Sequence, residues 1–396
     1  MRQLLIDLSV LVHKDDQSGI QRVVRSLLQA LTDAPPPGCR IATVYDAGGY
    51  YAYVQDGRSA DGTDDGDGVP TPQAIHVQAG DILLGLDLCP DLVPGNRAIY
   101  EDLRRHGVEI HFVVYDLLPV TMPAMFAPGA SPWFTRWLET VSGVADGLLC
   151  ISRAVADELL AWIEQARVPN AGALKVGYFH LGADLNADPA ARLPANASVS
   201  ADEAAVLAQL DGSPSFLMVG TLEPRKMHAQ ALDAFDLLWR QGGDAKLVIV
   251  GKPGWLTEQL AARIQRHTEL GKRLFWLRHA SDAALLQLYR RCAALLAASS
   301  GEGFGLPLIE AAQHGLPIVA RDLPVFREVC GSHAFYFSGA SAELAAALHQ
   351  WLALHAQQQA PQSAGLPHLD WAASARQLQA VLLERRWYKL APTLLT

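Results

Sequence analysis

With 396 residues, half of them apolar and 18% charged, the chain has material for two or three domains with large cores, which excludes a mostly disordered protein. A formal net charge of −9 repels nucleic acid and anionic lipid unless basic groups are clustered, so no nucleic-acid partner is expected. Cys39, Cys89, Cys150, Cys292 and Cys330 are far apart and mostly set among apolar neighbours, so they read as reduced core thiols rather than a disulfide framework or zinc site.

Along the chain, short apolar runs alternate with longer amphipathic ones, the pattern of strands feeding helices in a parallel sheet covered on both faces. The fold class is therefore α/β. The run Leu4 to Val12 carries Asp7 and falls short of the ~20 residues that span a bilayer, so it predicts a first strand rather than a signal peptide. No other stretch reaches spanning length, and any membrane association would be peripheral. Strands are predicted at Leu4–Leu8, Ile41–Tyr45, Ile82–Leu86, Ile110–Tyr115, Leu148–Ile151 and Leu174–Tyr178, with helices at Ile20–Leu31 and Ala154–Gln165. Residues 56–72, DGRSADGTDDGDGVPTP, read as a surface loop; they lack the twelfth-position Glu of a calcium loop. A second break, 186–213, reads as a linker with at most one short helix, closing a first domain at 1–185.

The pattern then restarts. Strands are predicted at Ser215–Val219, Lys246–Val250, Leu274–Leu277, Ala294–Ala298, Pro317–Ala320 and Phe335–Phe337, giving a second α/β domain at 214–368. Residues 369–396 hold a final helix, anchored by Trp371, Leu378, Leu382 and Trp387 and expected to pack back on the first domain. Two α/β domains joined by a linker place a cleft between their strand ends.

The segment Ser300 to Ala311, SGEGFGLPLIEA, follows an apolar run and leads into a helix with Pro307 near its start. Gly301, Gly303 and Gly305 let backbone approach a ligand, and the helix N-terminus suits a phosphate. Glu302 and Glu310 are expected to face one crevice at different depths. A plain tight turn, with Glu310 an ordinary first-turn carboxylate, is the other reading. The spacing is not the G-x-G-x-x-G of an NAD site, and it comes in the fourth strand-helix unit rather than the first. In VGTLEPRKMH, Arg225 and Lys226 lie just past a strand end, where they can neutralise a diphosphate or form a solvated basic turn. The glycine loop in the same domain favours the diphosphate.

VGTLEPRK followed by GEGFGLPLIEA resembles the retaining family 4 glycosyltransferases of the GT-B fold, in which two Rossmann-like domains face each other across a cleft. The resemblance extends to SGIQRVVRSLLQAL, VYDLLP and ISRAVADELL, and so covers most of the chain. It implies that Arg225 and Lys226 neutralise the donor diphosphate and that Glu310 holds the ribose. It further implies that Glu302 faces the donor sugar, and that Gly303, Phe304 and Gly305 give backbone contacts to sugar and phosphate. Gly19 and Ile20 then approach the diphosphate from the first domain. Transfer is expected with retention, with no resident cofactor and no divalent metal, because the basic pair and helix dipole carry the leaving-group charge.

No catalytic base stands out. Asp116, at the end of its strand, reads equally as an acceptor-side carboxylate and as a helix-capping residue. Where many family members carry a histidine that reaches the donor sugar's 6-hydroxyl, this chain has Tyr115. Either the donor is a 6-deoxyhexose such as rhamnose, or the Tyr115 phenol makes that contact. The aromatic group Trp133, Phe134 and Trp137 has helical spacing and reads as core, the alternative being an acceptor- or lipid-facing surface. The expected activity is transfer of mannose or a 6-deoxyhexose from a nucleotide diphosphate sugar, GDP-linked, to a glycan or lipid-linked glycan. The context is bacterial surface polysaccharide synthesis in the cytoplasm, at the inner face of the membrane. A nucleotide-sugar epimerase of the same fold and a non-catalytic sugar-nucleotide-binding module are the rivals.

Overall fold

In the computed structural model, residues 1–14, 18–54, 72–168, 174–183 and 199–391 are described. Most of the acidic loop and of the expected linker lie outside them. The strands are β1 (Arg2–Asp7), β2 (Cys39–Asp46), β3 (Tyr51–Tyr53), β4 (Ile82–Gly85), β5 (Glu109–Val114), β6 (Gly147–Cys150) and β7 (Lys175–Tyr178). They continue with β8 (Ser215–Val219), β9 (Lys246–Val250), β10 (Leu274–Leu277), β11 (Ala294–Ala297), β12 (Ile318–Arg321), β13 (Ala334–Phe337) and β14 (Lys389–Leu390).

The first compact unit comprises Met1–Val120, Gly129–Gly182 and Leu369–Thr396. Its sheet has the order β14-β7-β6-β5-β4-β1-β2-β3, parallel except for the antiparallel edges β3 and β14. Leu4, Leu5 and Ile6 are all fully buried, as a strand covered on both faces requires. The order reverses between β1 and β4, and the loop after β1 is pinned there. Asp7 accepts hydrogen bonds from the Ser9 amide at 2.9 Å and the Tyr51 hydroxyl at 2.7 Å, while Asp87 accepts from the Leu11 amide at 2.8 Å. Ser9 Oγ in turn accepts from the Asp46 amide at 2.8 Å. Helix Gly19–Asp33 follows, started by a capping box in which Ser18 and Gln21 satisfy each other's backbone amides.

Helix Trp371–Leu382 and β14 belong to this unit. Trp387, just before β14, stacks on His111 of β5, with 5.6 Å between ring centroids and 23° between planes. Glycine at 147 and 177 makes room, since a Cβ at 147 would run into the Trp387 ring and one at 177 into Val381, with the ring 3.1 Å away.

The second unit comprises Thr121–Pro128 and Ala183–His368. The short segment from the first half is held by Trp255, which stacks on Phe126 at 5.5 Å and donates to the Met125 carbonyl at 2.9 Å. Within the span read as linker, Ala201–Ala208 is a helix capped by Ser200 and Glu203. The sheet is β10-β9-β8-β11-β12-β13, all parallel. Counted within the unit, that order is 3-2-1-4-5-6, the dinucleotide-fold order, whose switch point lies between β8 and β11. Two loops leave the sheet at that point.

The five cysteines are all buried free thiols, and no helix among the described residues is long and apolar enough to cross a membrane. Of the aromatic group, Phe134 and Trp137 are core residues of helix Ala130–Val144, while Trp133 is partly exposed and donates to Asp91.

Candidate active site

The two loops at the switch point carry the basic pair and the glycine-rich segment. After β8, Gly220 takes φ +136°, and the Lys226 side chain runs 3.5 Å from where its Cβ would stand. Pro224–Lys226 then form a 3-10 turn, and Met227 at φ 58° turns the chain into helix His228–Arg240. After β11, Ser300 ties this loop to the other by donating its amide to the Arg225 carbonyl at 2.8 Å.

Arg225 and Lys226 converge on one carboxylate. Arg225 Nη1 stands 3.0 Å from Glu302 Oε2, Lys226 Nζ donates to Glu302 Oε1, and Ser299 Oγ donates to the same oxygen at 2.7 Å. Arg225 also pairs with Glu223 at 2.9 Å. Burial pushes the Glu302 carboxyl up, but the charges of Lys226 and Arg225 and the hydrogen bonds from Lys226 and Ser299 outweigh it and hold the group at about 2. Glu302 is therefore an anion at neutral pH.

Gly305 caps helix Leu306–Gln313 at φ 96° with no side chain over the helix end, leaving first-turn amides and the positive end of the dipole beside the basic pair. A Cβ at 305 would press on Leu308 and Phe326. Gly303 and Phe304 are buried in the turn. A cavity of about 30 Å³ lies under this group, lined among others by Lys226, His228, Ser299, Glu302 and Phe326.

Glu310 is only 2% exposed and accepts the Tyr289 hydroxyl at 2.6 Å, which holds its carboxylate within the helix packing. His314 stacks on the same tyrosine at 5.7 Å.

The remaining predicted residues lie in the first unit. Gly19 and Ile20 open helix Gly19–Asp33, with open space where a Gly19 Cβ would stand. Asp116 accepts the Leu118 amide at 3.0 Å, a local turn bond two residues on, and its charge, after burial, raises the carboxyl of Glu158. The Tyr115 side chain is buried and its hydroxyl donates to the Leu86 carbonyl at 2.7 Å, so the phenol's own proton is committed inside its unit. Among the described residues no group of three or more His, Cys, Asp or Glu is placed to hold a metal ion.

Residues 200–365 match the family model described as glycosyl transferases group 1. These residues form a glycosyl transferases group 1 domain. It contains the basic pair, both glutamates and the whole switch point. Over 380 residues, 94% of its length, the chain is 43% identical to the serotype-specific mannosyltransferase WbdA of Escherichia coli. It covers 45% of that protein, so it spans about half the length of the curated relatives it matches. It is also 35% identical over 137 residues to the phosphatidyl-myo-inositol mannosyltransferase of Mycobacterium tuberculosis strain H37Rv, covering 33% of this chain and 35% of that one.

Among solved structures, sucrose-phosphate synthase from Thermosynechococcus elongatus superposes with a TM-score of 0.64 at 18% identity, over 97% of this chain and 99% of that one. HepE of Anabaena, in complex with UDP and glucose, superposes at 0.58 and 14% identity over 96% and 95%. The fold is GT-B. Sequence reasoning passed over three polar residues of the group 1 domain: His228, Ser299 and Tyr289. His228 closes the segment VGTLEPRKMH and Ser299 adjoins the glycine-rich one, so both could have been read with them. Tyr289 gives no local signal, since it meets Glu310 only through packing.

Proposed function

We propose that the chain is a mannosyltransferase that takes its sugar from a nucleotide diphosphate donor, GDP-linked, and adds it with retention to a growing O-antigen-type glycan. The observation that carries this reading is the convergence of Arg225, Lys226, Glu302 and the uncapped helix at Gly305 on one switch point. Two cations and a helix dipole suit a departing diphosphate, and an anion held beside them suits the positive charge that develops on the sugar ring. The mannosyl preference is supported by the WbdA relatives.

In this reading Arg225 and Lys226 take the leaving group, Glu302 faces the sugar and Glu310 holds the ribose. Gly19 and Ile20 contribute from the first unit and Asp116 on the acceptor side. The leaving phosphate oxygen accepts the acceptor's proton, so the enzyme supplies position and charge rather than a dedicated base. Neither a resident cofactor nor a metal is called for. Work at the inner face of the cytoplasmic membrane, by peripheral association, suits a lipid-linked glycan acceptor.

The test is release of nucleoside diphosphate from GDP-mannose, a GDP-6-deoxyhexose and UDP-glucose, with and without a mannose-terminated lipid-linked acceptor and with and without EDTA. Turnover of GDP-mannose that depends on acceptor, persists in EDTA and gives an α-linked product is the expected result. Interconversion of the free nucleotide sugar would instead favour an epimerase, and donor binding without turnover a binding module.

A further inference from the structure

His228 is the first residue of the helix that follows the basic pair. Its side chain is 2% exposed, and its Nδ1 is buried with no hydrogen-bond partner. An unpartnered buried polar atom destabilises the fold, a cost that a leucine at this place would not carry. The ring lines the cavity of about 30 Å³ shared with Lys226, Ser299 and Glu302, whose other walls include Leu295, Leu308 and Phe326. One water needs roughly 10–15 Å³ and two to four polar partners, and this cavity offers both.

We propose that His228 is a positioning residue of the donor site, its Nδ1 joined through one water in this cavity to the Lys226–Glu302 pair, so that the ammonium is held where a phosphate meets it. The inference rests on the donor-site reading of Arg225 and Lys226. A histidine suits the task because it stays uncharged here. Burial first, and then the charge of Lys226, bring the imidazole down to about 3, so it adds a hydrogen-bonding atom without a third cation. A buried lysine or arginine would compete with Lys226 for Glu302, and an aliphatic side chain would leave the ammonium anchored by Glu302 alone.

The experiment compares His228→Asn with His228→Leu in the full chain. Asparagine can place an amide nitrogen near the position of Nδ1, whereas leucine keeps the volume and loses the polar atom. Affinity for GDP and UDP is measured by calorimetry, alongside KM and kcat for GDP-mannose and the melting temperature. His228→Asn should stay within about threefold of the parent, and His228→Leu should raise Kd and KM at least tenfold with kcat and melting temperature little changed. The reverse order, leucine near the parent and asparagine worse, is what pure packing gives and overturns the inference, as does equal loss in both. Lys226→Ala separates the two levels. If it weakens nucleotide binding while His228→Leu does not, this inference alone falls; if it has no effect, the donor-site reading falls as well. Should the variants fail to fold, a high-resolution structure of the unmodified protein decides: an ordered water about 3 Å from Nδ1 supports the proposal, and a dry cavity overturns it.

Discussion

Arg225 lies 3.0 Å from Glu302, the same carboxylate that accepts from Lys226, so one side chain bridges both cations of the proposed diphosphate site. An incoming diphosphate shares both cations with that carboxylate. Glu302→Gln removes the competing charge, and should tighten binding of free GDP or UDP by about fivefold, near 1 kcal/mol, while lowering turnover at least tenfold. Calorimetry and steady-state kinetics on one preparation check both halves. Looser nucleotide binding in this variant would mean that Glu302 organises the pair rather than competes for it.

Tyr289 holds Glu310 in place, so the ribose role assigned to Glu310 depends on a residue far from any motif. Tyr289→Phe should cost about 1–3 kcal/mol of stability. It should also reduce discrimination between ribose and 2′-deoxyribose nucleotides as much as Glu310→Ala does. Competition binding with GDP and 2′-deoxy-GDP measures it, and unchanged discrimination in both variants would remove Glu310 from the ribose.

Asp7 sets a pH dependence of defined sign. Burial pushes its carboxyl from the usual 3.8 to about 6, against hydrogen bonds from Ser9 and Tyr51. The folded chain therefore keeps this proton after the unfolded chain has lost it, and stability falls as pH rises from about 4 to about 6. By pH 7 the loss reaches ~3 kcal/mol. Glu302 works the other way at lower pH, its depressed carboxyl adding stability as pH rises from about 2 to 4.5. Asp7→Asn should gain stability relative to the parent by up to ~3 kcal/mol between pH 4 and 7, whatever constant offset the amide introduces. Urea melts at four pH values give the slope, and a flat difference would contradict the buried-acid assignment.

Trp387 and its two glycines make a packing test. Gly147→Ala pushes a methyl group into the ring, and such overpacking typically costs 1–3 kcal/mol. Trp387→Ala costs about 2 kcal/mol, since the ring is only partly buried. The double variant should be less destabilised than the sum by at least 0.5 kcal/mol, because removing the ring frees the space that the methyl needs. Strict additivity would show that the collision relaxes elsewhere.

The parts legible in the sequence were those written in local pattern. β8, β9 and β10 match their predicted bounds because each is a short apolar run closed by turn residues. The switch point could be read because the motifs sit directly after β8 and β11. β3 and β14 were missed because Tyr51–Tyr53 and Lys389–Leu390 are too short to show alternation and exist only by pairing with an edge. The partner of the Tyr115 hydroxyl was hidden for a related reason. Position at a strand end says where a residue lies, but the acceptor for its hydroxyl, Leu86, comes from a neighbouring loop 29 positions away. Glu310 was read through the helix that carries it, without Tyr289, which no spacing rule connects to it.

The return of residues 369–391 to the first unit bears on the order in which a ribosome could deliver the protein. β14 and Trp387 complete a sheet whose first strand begins at Arg2, so the first unit waits for residues that follow the second. Apart from Thr121–Pro128, the second unit is one continuous stretch that has emerged before that tail exists. The second unit can thus close while its predecessor still has an open edge at β7, and during that interval nascent chains are most exposed to pairing with one another.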